Sequence, residues 1–163
     1  MCCFYHQITY TQQILTFEEA EKKEGTEKIL LQKILDDYFS VNDSTKKAIF
    51  HENMAEQRKF EKYVSRNFFS EFKKKVDKEN LTKQIKSGFE FDYVLFFNEK
   101  GVLDYLLYSI EPQSSNYKLS KQNKKIFHDF VANFVKNYET GVTTLKKYKI
   151  YQTYIQKYTQ EKK

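Results

Sequence analysis

Disulfides, membrane spans and low-complexity tracts are all missing from this 163-residue sequence. Its only cysteines, Cys2 and Cys3, are neighbours, and adjacent residues cannot easily close an ordinary disulfide, so no disulfide framework staples the fold. No stretch reaches the roughly 18 apolar residues of a membrane span, and no charged, then apolar, then small-residue leader opens the chain. The expectation is a soluble protein. One proline and four glycines leave no flexible Pro/Gly-rich tract. With 40% hydrophobic and 31% charged residues, the chain falls on the globular side of the disorder boundary. A domain of this size buries about 68–70% of the surface its unfolded chain exposes, so it needs neither disulfides nor metals to fold.

The motifs that carry chemistry are scarce as well. There is no Gly-rich phosphate loop and no Gly-x-Ser-x-Gly elbow. His6, His51 and His128 lie in different segments, without a second histidine or a cysteine at metal-ligand spacing, and His51-Glu52 lacks the second histidine of a zinc helix motif. Glu21-Lys22-Lys23 has the letters of a nuclease Glu-x-Lys, but on a helix-like segment rather than a strand. Asp92 and Asp104 fall on adjoining strand-like runs, where burial together would permit acid/base work; interleaved with apolar positions, both are expected to face solvent. The reading is therefore a non-enzymatic protein with no catalytic residues, no metal site and no cofactor.

What is abundant is Phe, Tyr and Lys. Fifteen Phe and thirteen Tyr stand beside no Trp. Residues 1–80 carry 14 Lys/Arg against 14 Asp/Glu, whereas residues 81–163 carry 14 Lys against 8, so the whole net excess of +6 lies in the C-terminal half. Such an excess steers acidic proteins, nucleic acid or anionic lipid toward it; lysines that only keep a protein soluble look the same.

Periodicity orders the chain. Residues 4–17 read as an extended segment (Ile8, Tyr10), followed by a short helix announced by a Thr16/Glu19 capping box and interrupted by Gly25. Ile29, Leu30, Ile34, Leu35, Tyr38 and Phe39 recur at helical spacing over residues 26–40, and the cluster Val41-Asn42-Asp43-Ser44 breaks the pattern. Residues 54–76 form a longer helix with Phe60, Tyr63, Val64, Phe68, Phe72 and Val76 on one stripe. Two strand-like runs, 89–97 and 102–110, flank the turn Asn98-Glu99-Lys100-Gly101 and predict a β-hairpin. Glu111-Pro112 ends the second strand. Ser120 caps a helix with Ile126, Phe127, Phe130, Val131, Phe134, Val135 and Tyr138 on its stripe, with Gly141 placed to terminate it. A β-rich run closes the pattern at 148–158. The expected fold is α+β: a small antiparallel sheet, hairpin plus C-terminal strand, covered on one face by helices. An N-terminal strand and helix extension over residues 1–45 precedes the main domain at 46–163.

This order resembles the C-terminal domain of TonB-type energy transducers, especially divergent single-domain relatives. The resemblance spans roughly residues 46–158. It is carried by Ala48-Ile49-Phe50 before the helix of Phe60, Tyr63 and Val64, by the hairpin with its Asn98–Gly101 turn, by the helix around Phe127 to Phe134, and by the final strand of Tyr and Ile. His51-Glu52-Asn53 stands where Gly-Gly often follows the aromatic in that family, and the Tyr-Pro after its first helix is missing, as are a membrane anchor and a Pro-rich spacer.

The resemblance implies a protein partner joining the sheet as an added strand. That mode needs an edge with free backbone groups, and residues 147–157 supply the candidate: Lys147, Lys149 and Lys157 to meet an acidic peptide, Tyr151 and Ile155 to fill pockets, and Thr153 between them. The same lysines would guard an edge against aggregation. A second reading is a single-stranded nucleic-acid binder in which Tyr148, Tyr151, Tyr154 and Tyr158 stack bases, although Arg occurs only at Arg58 and Arg66 and phosphate readers favour Arg. Cys2 is a candidate lipidation site if the chain derives from a bacterial lipoprotein precursor. The expected location is the periplasm or envelope, with the cytoplasm as the alternative.

Overall fold

In the computed structural model, residues 12–40, 54–113 and 118–158 are described. They run in the order β1 (Gln13–Thr16), α1 (Phe17–Glu21), α2 (Gly25–Asp36), β2 (Phe39–Ser40), α3 (Met54–Glu79), α4 (Leu81–Ile85), β3 (Phe89–Phe97), β4 (Leu103–Pro112), α5 (Lys121–Val135) and β5 (Tyr148–Gln156). The fold is α+β, with an open sheet of strand order β1-β4-β3-β5-β2.

The hairpin of β3 and β4 is the centre of that sheet, and its turn explains its register. Asn98 Oδ1 accepts from the backbone N–H groups of Lys100 (3.0 Å) and Val102 (3.2 Å), and the N–H of Gly101 donates to the Asn98 carbonyl at 2.9 Å. Gly101 sits at φ +76°, and a Cβ there would lie 2.4 Å from both Thr140 Oγ1 and the Val142 carbonyl. Both the left-handed backbone and the close approach require glycine.

Alternation along the strands gives the sheet two apolar faces. Phe89, Phe91, Tyr93, Leu95 and Phe97 are buried on one face of β3, under the helices α3 and α5. There Phe72 stacks on Phe91 at 4.9 Å and meets Phe130, Phe134 and Tyr154 edge-on. Fully burying one such side chain stabilises the fold by roughly 1.5–3 kcal/mol, and offset and edge-on ring pairs add to that. The stripe of α3 runs through Phe60, Val64, Phe68, Phe72 and Val76; Tyr63, expected on it, is instead 50% exposed.

The other face carries a smaller core of Tyr38, Phe96, Tyr105 and Leu107, against which Leu15, Phe17, Ala20, Ile34 and Leu35 pack. Helix α2 reaches this core through Ile34 and Leu35, and Leu31 is buried beside them, while Ile29 and Leu30 are exposed. Of the expected stripe, Ile34, Leu35, Tyr38 and Phe39 pack against the sheet and Ile29 and Leu30 do not.

Three features sharpen the expected architecture. The sheet is mixed, because the N-terminal segment contributes two short strands that pair in parallel: β1 with β4 and β2 with β5. The helix expected to reach Ser40 stops at Asp36, so that Phe39 and Ser40 become β2. Helix α5 stops at Val135, well before Gly141, and Asn137 at φ +60° supplies the left-handed residue that follows. Its start is as expected, with Ser120 Oγ accepting from the Asn123 N–H at 3.1 Å, and the Thr16/Glu19 capping box of α1 is present. The boundary expected at residues 41–44 lies outside the described residues, as does the family-like Ala48-Ile49-Phe50.

Candidate functional site: the outer edge of the last strand

Strand β5 pairs antiparallel with β3 along its whole length, from Phe89↔Gln156 to Phe97↔Tyr148. On its other side β2 pairs with Tyr148 and Lys149 only. The Phe39 N–H donates to the Lys147 carbonyl at 3.0 Å, which fixes the orientation of every later residue: backbone groups alternate sides along a strand. Even-numbered residues of β5 bond to β3, and odd-numbered ones point outward. Beyond Lys149, Tyr151, Thr153 and Ile155 therefore turn their N–H and carbonyl groups away from β3, and among the described residues no strand pairs with them.

The side chains follow the same alternation. Tyr148, Ile150 and Tyr154 are buried in the main core. Tyr151 and Ile155 lie on the opposite face and are 53% and 52% exposed. Between them Thr153 Oγ1 donates to Asp92 Oδ1 at 2.5 Å. Lys157 is exposed just beyond the strand. Two of the expected partner-binding lysines already meet rings of this chain: the Lys147 ammonium lies 5.5 Å from the Tyr38 ring centroid and that of Lys149 lies 5.9 Å from Phe96. Lys146 does the same to Phe39 at 4.3 Å. The Lys146 and Lys147 contacts hold Phe39 of β2 and Tyr38 to the start of β5, and the Lys149 contact joins β5 to β3. The structure thus brings Tyr151, Thr153 and Ile155 together on an edge that no described strand covers and sets Lys147 and Lys149 apart at the end paired with β2.

One neighbour was not legible as part of this edge. Phe69 of α3 is 42% exposed, with its ring 4.9 Å from that of Tyr154, so it borders the edge from the helical layer. Its signal is its place beside the α3 stripe, next to Phe68, where a polar residue is the norm.

The remaining candidates separate. Tyr148 and Tyr154, expected to stack bases, have relative exposures of 0% and 1% and offer no face to a nucleotide; only Tyr151 and Tyr158 of that set are accessible. Burial pushes the phenols of Tyr148 and Tyr154 up to about 12. Asp92 and Asp104 are not neighbours: Asp92 pairs with Ser109, five residues along β4 from Asp104, or roughly 17 Å at strand rise. Neither is a free solvent carboxylate. Asp104 accepts from the Tyr38 hydroxyl at 2.8 Å and from Asn98 Nδ2 at 2.9 Å. Glu21, Lys22 and Lys23 lie at the end of α1, where Lys22 pairs with Glu18 at 2.6 Å. Cys2, His6 and His51 lie outside the described residues.

A second concavity of about 550 Å³ lies beyond the end of β1, between α1 and α5. His128 accepts or donates through Nδ1 to the Tyr108 hydroxyl at 2.9 Å there. The capping bond from the Thr16 backbone holds Glu19 below its usual carboxylate range, and burial holds the Tyr108 phenol above its usual one. Among the described residues no group of three His, Cys, Asp or Glu could hold a metal ion, and no helix is long and apolar enough to cross a membrane. No family model, curated protein or solved structure matches this chain.

Proposed function

We propose that this chain is a protein-binding module that takes up an extended segment of another polypeptide as an added strand along β5. The observation that supports it most is the run of outward backbone groups at Tyr151, Thr153 and Ile155 on an edge strand whose large apolar side chains are half exposed. Edge strands are ordinarily blunted by charge, proline or cover; here Lys147 and Lys149 sit at the covered end, Lys157 lies past the last residue of the strand, and the residues between, Tyr151, Thr153 and Ile155, are uncharged. Each of the three residues offers one donor and one acceptor, and each bond formed contributes about 0.5–1.5 kcal/mol net. Tyr151 and Ile155 supply the side-chain contacts that make such pairing selective. The resemblance to TonB C-terminal domains points to a partner in the cell envelope, and with it to an envelope or periplasmic location.

The test uses a proline that spares the fold. The Tyr151 N–H does not bond to β3, so Tyr151→Pro removes an edge donor without breaking the sheet. Nuclease-treated envelope and cytosolic extracts are passed over wild-type protein and over Tyr151→Pro of matched thermal stability. Proteins held by the wild type and released by the variant are expected. An identical retained set on both would refute strand addition.

A further inference from the structure

The edge has two walls, and they differ in charge. On the open face the incoming strand meets Tyr151 and Ile155, with Glu90 paired across from Ile155 and Asp92 held by Thr153. On the helical side it meets a flank of α3. Phe69 identifies that flank by its contact with Tyr154, and Lys62, Arg66, Phe69 and Lys73 recur at the spacing of one helix face. Helix α3 runs along β5, since Phe60 meets Tyr148 at 5.0 Å near one end and Phe69 meets Tyr154 at 4.9 Å near the other. Between those two contacts, Lys62 comes level with the Lys149–Ile150 end of β5 and Arg66 with its middle, which no described strand pairs with. Both are exposed, and neither forms an ion pair among the described residues, whereas Lys73 is neutralised by Asp77 at 2.7 Å. No Asp or Glu occurs in β5 or between Glu139 and Glu161.

Resting on the strand-addition reading, we infer that the segment taken up is an alternating apolar–acidic strand. Its apolar side chains lie over Tyr151 and Ile155 on the open face, and its carboxylates point to Lys62 and Arg66 of α3. Period-two alternation makes this the natural match, because successive residues of the incoming strand face opposite walls. An acidic residue on the open face would meet Glu90 and Asp92, and a basic one on the helical side would meet Lys62 and Arg66. A second copy of this chain is a poor occupant for the same reason, since antiparallel pairing of two β5 edges about a two-fold axis perpendicular to the sheet brings one basic flank against another.

The probes are two end-blocked peptides, Val-Glu-Val-Glu-Val-Glu-Val and Val-Lys-Val-Lys-Val-Lys-Val, titrated by fluorescence anisotropy against the full chain at two salt concentrations. The glutamate peptide is expected to bind at least tenfold more tightly at low salt, with the preference shrinking as salt rises. Lys62→Glu/Arg66→Glu is expected to invert the preference, and Lys62→Gln/Arg66→Gln, which leaves an uncharged flank, to abolish it. Equal binding of both peptides, or a preference unmoved in both double variants, would overturn the acidic assignment while leaving strand addition in place. Binding of neither peptide would also overturn it; if Tyr151→Pro then also leaves the captured proteins unchanged, the strand-addition reading falls with it. A self-association that Tyr151→Pro abolishes would make the occupant a second copy and overturn the inference.

Discussion

The two outer edges of this sheet are closed to different degrees by the same N-terminal segment. At the β4 edge, β1 pairs over four residues, Gln13 to Thr16, before the capping box turns the chain into α1. At the β5 edge, β2 pairs over two among the described residues, Phe39 and Ser40, and the cation–π contacts of Lys146 with Phe39 and Lys147 with Tyr38 fasten that end. Both closing strands run parallel to the strands they cover. Past them, the β4 edge faces a charged concavity between α1 and α5, whereas the β5 edge is bordered by half-exposed Phe69, Tyr151 and Ile155. Edge protection here is local. Capping contacts mark the end of the β1 cover, cation–π contacts accompany the β2 cover, and half-exposed apolar residues border the part of β5 that no described strand pairs with.

The broadest way to break both edges at once is alkali. Tyr108 of β4 is held well above the usual tyrosine range by burial, and burial pushes Tyr148 and Tyr154 of β5 up to about 12. Their unfolded value is near 10. A folded pKa raised above the unfolded one gives stability that is fully present below pH ~10 and lost as pH rises through ~12. Denaturant midpoints measured from pH 8 to pH 12 are expected to fall steadily above pH 10, and Tyr148→Phe is expected to flatten part of that fall.

Next in size is the layer that both edges share. Phe72→Ala empties a fully buried site between Phe91, Phe130, Phe134 and Tyr154, and should cost about 3–5 kcal/mol in chemical denaturation. A sharper test separates the two sides of β5. Gln152 faces β3 opposite Tyr93, so Gln152→Pro breaks a ladder bond and should cost about 1–3 kcal/mol. Tyr151→Pro, one residue away, should cost less than about 1 kcal/mol because its N–H points outward. Equal losses would mean that the alternation assigned to β5 is wrong.

The β4 edge is tested by its cap. Thr16 Oγ1 accepts from the Glu19 N–H at 3.1 Å, and Glu19 Oε2 accepts from the Thr16 N–H at 2.7 Å. Thr16→Ala is expected to cost about 1 kcal/mol and to raise hydrogen exchange in α1 and the adjoining end of β4, leaving β5 unchanged. A response spread over both edges would show that the covers are coupled.

Much of this arrangement is legible in the sequence because it is local. The hairpin follows from alternation and the Asn98–Gly101 turn, the N-terminus of α5 from Ser120, and the α3 stripe from residues three and four apart. What escapes is non-local or short. Two residues such as Phe39 and Ser40 carry no period, and their strand character comes only from pairing with Tyr148 and Lys149 more than a hundred positions away. Helix α4 is bracketed by Asn80 and Lys86 in the left-handed region, a conformation that composition does not announce for lysine. Leu31 is buried where Ile29 and Leu30 are exposed, because the buried side of α2 is set by what it packs on and not by its own pattern. At the candidate site, the outward-facing residues 151, 153 and 155 follow from strand alternation once the register is known. The contributions of Phe69, Lys62 and Arg66 require knowing which flank of α3 lies beside β5.

Residue-resolved amide hydrogen exchange on the free protein reads directly whether β5 presents an open edge. An alternation is expected: slow exchange at Ile150, Gln152 and Tyr154, whose N–H groups bond to β3, and fast exchange at Tyr151, Thr153 and Ile155. Protection of all six amides alike would mean that the outer edge is already occupied, and would contradict strand addition at β5.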